Sequence, residues 1–372
     1  MELAMTLSRR KALGIIGGGT ILAAATGAGA FLTTRTPDKA LAPWAAAGGY
    51  EEPRYRALSY AILSPNPHNR QPWLVDLRQK DTVILYRDME RDLPQTDPHS
   101  RQLTIGLGCF LELLKIAASQ TGHAVDFDLY PEGESGPVAI VKFNEGAKPD
   151  PLFKHVLNRR SCKEPFQERS VPKNMTATLS QYAEIIDTPD KVQVIKDMSW
   201  AAWKVEMFTP RTLKESVDLM RFGKSQINAN PDGIDLGGPF LESLMLAGVM
   251  SREIQMDPDT TGFQEGVRIY DEMLHATPAY AVITSPGNTR RDQIDAGRRW
   301  LRLNLITTSL GLALHPISQA LQEYPEMMEH YDQAHKILAA PDHTVQMLGR
   351  LGFGPEVSPS PRWPLGARII NG

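Results

Sequence analysis

Apolar and polar positions alternate along the chain with two clear periods, and the changes between them predict the elements. From Tyr50 to Ala61 the spacing is helical. The loop Ser64-Pro65-Asn66-Pro67-His68-Asn69 follows, where two prolines and two asparagines forbid regular structure. Residues 71–77 and 82–86 have the β-branched, alternating character of neighbouring strands, separated by the turn Arg78-Gln79-Lys80-Asp81. Asp97-Pro98-His99-Ser100 then resembles a helix start. From Arg101 to Gly122, the residues Leu103, Leu107, Phe110, Leu111, Leu114 and Ala118 fall at helical spacing and predict a core helix stopped by Gly122. Two further strands, 124–129 and 138–143, flank the turn 131–136.

A second round echoes the first. It opens with a helix over 151–158 and a basic loop. It closes with a strand over 279–285, a helix over 293–312, a helix over 326–339 and a strand over 345–351. The echo predicts an α+β fold of two pseudo-symmetric halves, residues 43–150 and 151–372. Residues 223–278 interrupt the second half with Asn228-Ala229-Asn230-Pro231-Asp232-Gly233 and Gly237-Gly238-Pro239. That composition suits a mobile cover, and equally an ordinary helical insertion on the surface.

Ahead of both halves, Leu7-Ser8-Arg9-Arg10-Lys11-Ala12-Leu13 places paired arginines before a Gly/Ala-rich apolar stretch reaching Leu32. This is the layout of a twin-arginine export signal, so residues 1–42 are expected to be signal peptide and linker. The stretch is barely as long as the ~20 residues that cross a bilayer, and its glycines make it a poor permanent span; an uncleaved anchor is the alternative. Ala28-Gly29-Ala30 and Ala40-Leu41-Ala42 both offer small residues to a signal peptidase. The expected location is periplasmic or extracytoplasmic, with membrane contact only through this segment and the twin-arginine machinery as a partner. That route is associated with substrates that fold before crossing, often around a cofactor.

Composition narrows the chemistry. The 372 residues, 42% of them hydrophobic, suffice for two lobes, and the net charge of −3 offers no field to recruit nucleic acid. A small-molecule ligand fits better. Only Cys109 and Cys162 occur, so there is no disulfide framework, and Cys109 falls in an apolar run where a buried small hydrophobe is expected. No metal site is expected; His330 and His335, five apart, fall off one helical face. No nucleophile elbow of the Gly-x-Ser-x-Gly kind is present, and no acid–base pair is evident, so no catalytic side chain is assigned.

Two stretches carry the groups a flavin mononucleotide would need: cations and hydroxyls for the phosphate, and amides for the ring edge. In Arg159-Arg160-Ser161-Cys162-Lys163 an extended backbone sends alternate side chains the same way. Arg159, Ser161 and Lys163 then converge on one ligand, and Arg160 faces elsewhere. Taken alone, such a cluster is more often a solvated surface. The second stretch, Asn69-Arg70-Gln71-Pro72-Trp73, resembles the Asn-x-Gln-Pro-Trp pattern of the nitroreductase superfamily. The resemblance implies that Asn69 contacts the flavin ring, with Gln71 and the neighbouring His68 beside it, while Trp73 packs the core.

It also implies that Arg159, Ser161 and Lys163 hold phosphate and ring edge, and that Arg362, in Ser360-Pro361-Arg362, binds phosphate. Pro316-Ile317-Ser318-Gln319 stands where nitroreductases carry a stretch whose backbone amides serve the flavin N5, which places Pro316 and Ile317 at the site. The loop precedes the arginine segment, an inversion similar to the Acg-like branch, in which one chain corresponds to a fused nitroreductase dimer. Leu93-Pro94, Asp97-Pro98, Arg101 and His315-Pro316 are similar to that branch too. The resemblance implies one FMN per chain, in a monomeric pseudo-dimer or a homodimer. The implied activity is oxidoreduction from a small-molecule donor to a nitro, quinone or similar acceptor; the alternative is flavin sequestration beneath a lid.

Overall fold

The computed structural model describes residues 34–372; the twin-arginine segment lies outside them. In chain order, helix α1 (Asp38–Ala46) precedes α2 (Pro53–Ala61), whose N-terminus is capped by the Glu52 carboxylate accepting from the Arg54 and Tyr55 amides. Strands β1 (Trp73–Asp76) and β2 (Thr82–Arg87) lead to α3 (Arg101–Ser119), then β3 (His123–Leu129) and β4 (Ala139–Glu145). Helix α3 is apolar enough to pass for a membrane span, yet 94% of it is buried inside the protein, as its predicted core role requires.

The second part holds α4 (Lys173–Leu179), β5 (Glu184–Ile186), α5 (Pro189–Phe208), α6 (Pro210–Asp218), β6 (Met220–Phe222), α7 (Gly223–Ala229) and β7 (Ile234–Leu236). Helices α8 (Pro239–Leu246), α9 (Arg252–Met256) and α10 (Thr261–His275) follow. Then come β8 (Ala279–Ser285), α11 (Arg290–Ser309), β9 (Ala313–Pro316), α12 (Met328–Leu338), β10 (Thr344–Gly352) and β11 (Ile369–Asn371). The molecule is α+β.

Its larger sheet has the order β11-β1-β2-β4-β3, its second sheet β5-β8-β10-β9, and β6 with β7 make a small parallel pair. Strand β8 shows why the second sheet is buried on both faces. Ala279, Ala281 and Ile283 face the main core with α3 and α11, whereas Tyr280 and Val282 face a second core with α5 and α12. The period of two in the sequence thus becomes two packed layers.

Helices α3 and α11 meet backbone to backbone between the sheets. A Cβ on Gly108 would lie 2.2 Å from the Ile294 carbonyl oxygen, and one on Gly297 2.0 Å from that of Ile105. Glycine is what permits this approach.

Several elements differ from the sequence reading. Residues 151–158 form a 3-10 helix, not an α-helix. The helix expected over 293–312 ends at Ser309; Gly311, at φ 68°, turns the chain into β9. Residues 223–278 are mostly helical. The division at residue 150 is crossed by the C-terminus, because β11 pairs in parallel with β1 and closes the first sheet.

Candidate functional site

The loop after α2 folds into an unusual shape. His68, Asn69 and Gln71 have φ of 48°, 52° and 53°, a left-handed conformation that non-glycine residues hold only where their surroundings over-determine it. Here they do. Asn66 Oδ1 accepts from the Gln71 amide at 2.7 Å, Gln71 Nε2 donates to the Pro231 carbonyl at 2.7 Å, and Gln71 Oε1 accepts from the Trp363 amide at 2.9 Å. Gln71 is fully buried, and both ends of its amide are used inside the protein, so it clamps the loop in place of facing a ligand. Trp73, also fully buried, packs against Phe110 with centroids 5.1 Å apart.

Two arginines converge behind this loop. Arg159 donates to Asn304 Oδ1 and to the Leu63 carbonyl, both at 3.0 Å. Arg362 donates to Asn69 Oδ1 at 2.6 Å, to the Ser64 carbonyl at 3.0 Å and to the same Leu63 carbonyl at 3.2 Å. Asn69 returns a bond from Nδ2 to the Pro361 carbonyl at 3.0 Å. Both guanidiniums are buried, and the hydrogen bonds they make run to neutral acceptors.

Desolvation pushes Arg159 down to about 10 and Arg362 to about 9, and in Arg362 the neighbouring Arg159 adds to the effect. Arg362 Nε and Ser64 Oγ are buried without a partner. A pair of buried cations held only by neutral groups is an incomplete arrangement that an anion completes. Arg160, expected to face elsewhere, lies over the Trp44 ring at 4.8 Å, and Arg362 approaches the same ring at 5.8 Å. It therefore belongs to the basic cluster.

The Cys162 amide donates to the Leu314 carbonyl at 3.1 Å, which sets the following Lys163 beside β9. Lys163 is exposed and Ser161 half-buried. The ammonium of Lys163 helps to lower the pKa of His68 and of His315, and at Asp235 it opposes a rise caused by burial. Lys163 is thus close enough to act electrostatically on the Asn69 loop, on β9 and on the inserted segment. At Asp235, desolvation raises the pKa against the pull of Lys163 and Arg362.

One expectation fails here. Pro316 has no N–H, and the Ile317 amide donates to the Leu348 carbonyl at 2.9 Å within the sheet. Neither backbone group is free to serve a flavin N5. The same place supplies a different donor: Gln102, at the start of α3, accepts from Ser318 Oγ at 3.0 Å, while its own buried Nε2 has no partner. Sequence reasoning passed over Gln102, although it directly follows Arg101 in a stretch already singled out.

The inserted segment sits on the Asn69 loop. The Gly233 amide donates to the Asn69 carbonyl at 3.3 Å, and Asp232 pairs with Arg91 and Arg221, each at 2.7 Å. His68 lies beneath it with Nε2 4.0 Å from Glu206 Oε1. Burial, Lys163 and Arg70 bring the His68 imidazole down to about 4.

Along most of its length, the chain is similar to a nitroreductase. It is 23% identical over 318 residues to a Mycobacterium tuberculosis protein provisionally named NAD(P)H nitroreductase acg, covering 82% of this chain and 90% of that one. No family model matches. Among solved structures, the FMN-dependent nitroreductase NfnB of Mycobacterium smegmatis, in complex with NADPH, overlaps 57% of this chain and 94% of its own at 18% identity and a TM-score of 0.38. A provisionally named nitroreductase of Anabaena variabilis overlaps 74% of this chain and 69% of its own at 12% identity and a TM-score of 0.40. Overlaps this loose carry no residue role across.

Proposed function

We propose that the chain is an FMN-binding oxidoreductase of nitroreductase type that carries electrons from NAD(P)H to a nitro, quinone or similar acceptor. The observation that carries this reading is the buried pair Arg159 and Arg362, held by neutral groups only and tied through Asn69 and the Leu63 carbonyl to the loop whose sequence resembles the nitroreductase pattern. The sequence relative named as an NAD(P)H nitroreductase supports it.

In this reading Arg159, Arg362 and Ser64 take the phosphate and Gln102 meets the ring, with Asn69 beside it, its amide already bonded to Arg362 and Pro361. Lys163 stands at the edge where reduction places negative charge. Bound flavin would supply hydride transfer; the chain binds, orients and shields it. The test is the absorption spectrum of the purified protein, with mass identification of the released chromophore. Flavin bands and FMN are expected, and a colourless protein that takes up no added FMN overturns the proposal.

A second reading, flavin sequestration, is favoured by the bond that Gln71 donates to the Pro231 carbonyl and the bond that the Gly233 amide donates to the Asn69 carbonyl, which hold the inserted segment on the loop. Rapid reduction by NADPH followed by acceptor-dependent reoxidation decides for turnover. A bound flavin that NADPH leaves oxidised decides for storage.

The twin-arginine pattern at Leu7–Leu32 supports export of the folded protein to an extracytoplasmic space. Of the two cleavage sites, Ala40-Leu41-Ala42 falls inside α1, where the Ala40 amide donates to Asn228 Oδ1 at 3.0 Å and the Ala40 carbonyl accepts from the Arg362 amide at 2.8 Å. Cleavage after Ala30 leaves that docked helix whole. N-terminal sequencing of exported protein tests this, and a terminus at Pro43 overturns it.

A further inference from the structure

A carboxyl group that the proposed function leaves unused lies beside the Asn69 loop. Glu206, in the last turn of α5, is only 3% exposed. Its Oε2 accepts from Gln322 Nε2 at 3.0 Å and its Oε1 from Ser216 Oγ at 3.3 Å. Neither donor is charged. The charged and titratable groups nearest to it are Glu215 and the phenols of Tyr270 and Tyr324, with the Gln319 amide. None of them neutralises a carboxylate, so burial favours the protonated acid and raises its pKa.

The base in reach is His68, whose Nε2 stands 4.0 Å from Glu206 Oε1. That gap is longer than a hydrogen bond, and a small rotation of Glu206 or one bridging water closes it. The imidazole faces the cations Lys163 and Arg70, which together with burial keep it neutral. Its other nitrogen, Nδ1, is buried and has no partner. An orphaned polar atom at a strained left-handed residue marks a place where a ligand or water belongs. A buried acid thus stands beside one nitrogen of a buried imidazole whose other nitrogen bonds nothing in the protein, with the two pKa values pushed in opposite directions as acid–base pairs require.

We infer that Glu206 and His68 are the proton-delivery pair of the flavin site, with Glu206 as proton source and His68 as carrier to an acceptor of the quinone class. The inference rests on the flavin reading above. Two-electron reduction of such an acceptor takes up one hydride, which derives from NAD(P)H by way of the cofactor, and one proton. With Nε2 toward the acid, the neutral ring carries its proton on Nδ1. The Nδ1–H bond breaks as a bond to the acceptor oxygen forms, and Nε2 takes the proton of Glu206. The resulting carboxylate keeps the hydrogen bonds from Gln322 and Ser216, and solvent reprotonates it after product leaves.

The test uses holoprotein. Infrared spectra at neutral pH are expected to show a protonated-carboxyl band that Glu206→Gln removes. In stopped-flow reoxidation of photoreduced protein by a benzoquinone, Glu206→Gln and His68→Asn should each slow the reaction about 100-fold and erase the solvent deuterium isotope effect. The double variant should be no slower than either. Glu206→Asp, which keeps an acid, should restore the isotope effect and keeps the test open if the amide variant fails to fold. An ionised Glu206 at neutral pH, or an undiminished isotope effect in Glu206→Gln, overturns the inference. Parent protein without flavin bands overturns the flavin reading as well, whereas a failed relay with intact flavin bands leaves that reading standing.

Discussion

Arg159 and Arg362 come from positions far apart in the chain, yet they donate to one carbonyl, that of Leu63. Their charges repel across a dry interior, so each gains most when an anion arrives. Arg159→Ala is therefore expected to weaken FMN binding by about 1.5–3 kcal/mol, roughly ten- to a hundred-fold, as seen in flavin fluorescence titrations. An unchanged dissociation constant removes Arg159 from the phosphate site. Asn69 bonds both Arg362 and the Pro361 carbonyl, and its left-handed backbone carbonyl accepts from the Gly233 amide. Asn69→Ala should shift the flavin absorption bands more than it shifts affinity, and a spectrum identical to the parent's would take Asn69 away from the ring. The residue types at both positions were legible in the sequence. The pairing of Arg159 with Asn304, and the commitment of Gln71 to Pro231 and Trp363, were not, because they depend on which segments fold onto one another.

At the scale of elements, the crossing of α3 and α11 depends on two glycines. The periodic apolar positions predicted both helices, but no periodicity announces that Gly108 and Gly297 must each let a backbone carbonyl approach. Gly297→Val is expected to lower the urea midpoint by an amount equivalent to about 3 kcal/mol or more, because a Cβ at 2.0 Å from the Ile105 oxygen forces the helices apart. Retained parental stability would show that the crossing yields easily. Strand β9 went unrecognised for a related reason. Ala313–Pro316 is too short to show its own period, and only pairing with β10 holds it extended. The unrecognised helices α5 and α6 bring Glu206, Ser216 and Glu215 to the site. In α5 the amphipathic pattern is interrupted by the buried polar residues Ser199 and Glu206, so its hydrophobic signal is faint.

For the whole molecule, the C-terminus matters most. Strand β11 leaves the second half and pairs with β1, where the Leu77 amide donates to the Asn371 carbonyl at 2.8 Å and Asn371 Nδ2 donates to Asp76 at 3.1 Å. Arg362 is delivered to the site by the same crossing segment. Asp76, bonded by Arg78 and then by Asn371, has its carboxyl lowered to about 2. The folded pKa is below the unfolded one, so this contribution is complete above about pH 4 and is lost as pH falls toward 2. Acid unfolding followed by circular dichroism should show Asp76→Asn losing part of the stability gained between those pH values. An identical acid limb in the variant would mean that β11 docks without this carboxylate.

What the chain determines by itself is local: two rounds of helix and strand, a loop barred from regular structure by its prolines, and a basic turn with alternating side chains. Those features follow from periodicity and backbone sterics, which act over a few residues. Tertiary structure alone decided that Arg159, Arg362 and Asn69 meet through shared hydrogen bonds, that the Ile317 amide is spent on Leu348, and that Glu206 stands beside His68. The reason is that burial and hydrogen bonding at these positions are supplied by partners far away in sequence, which no local pattern records.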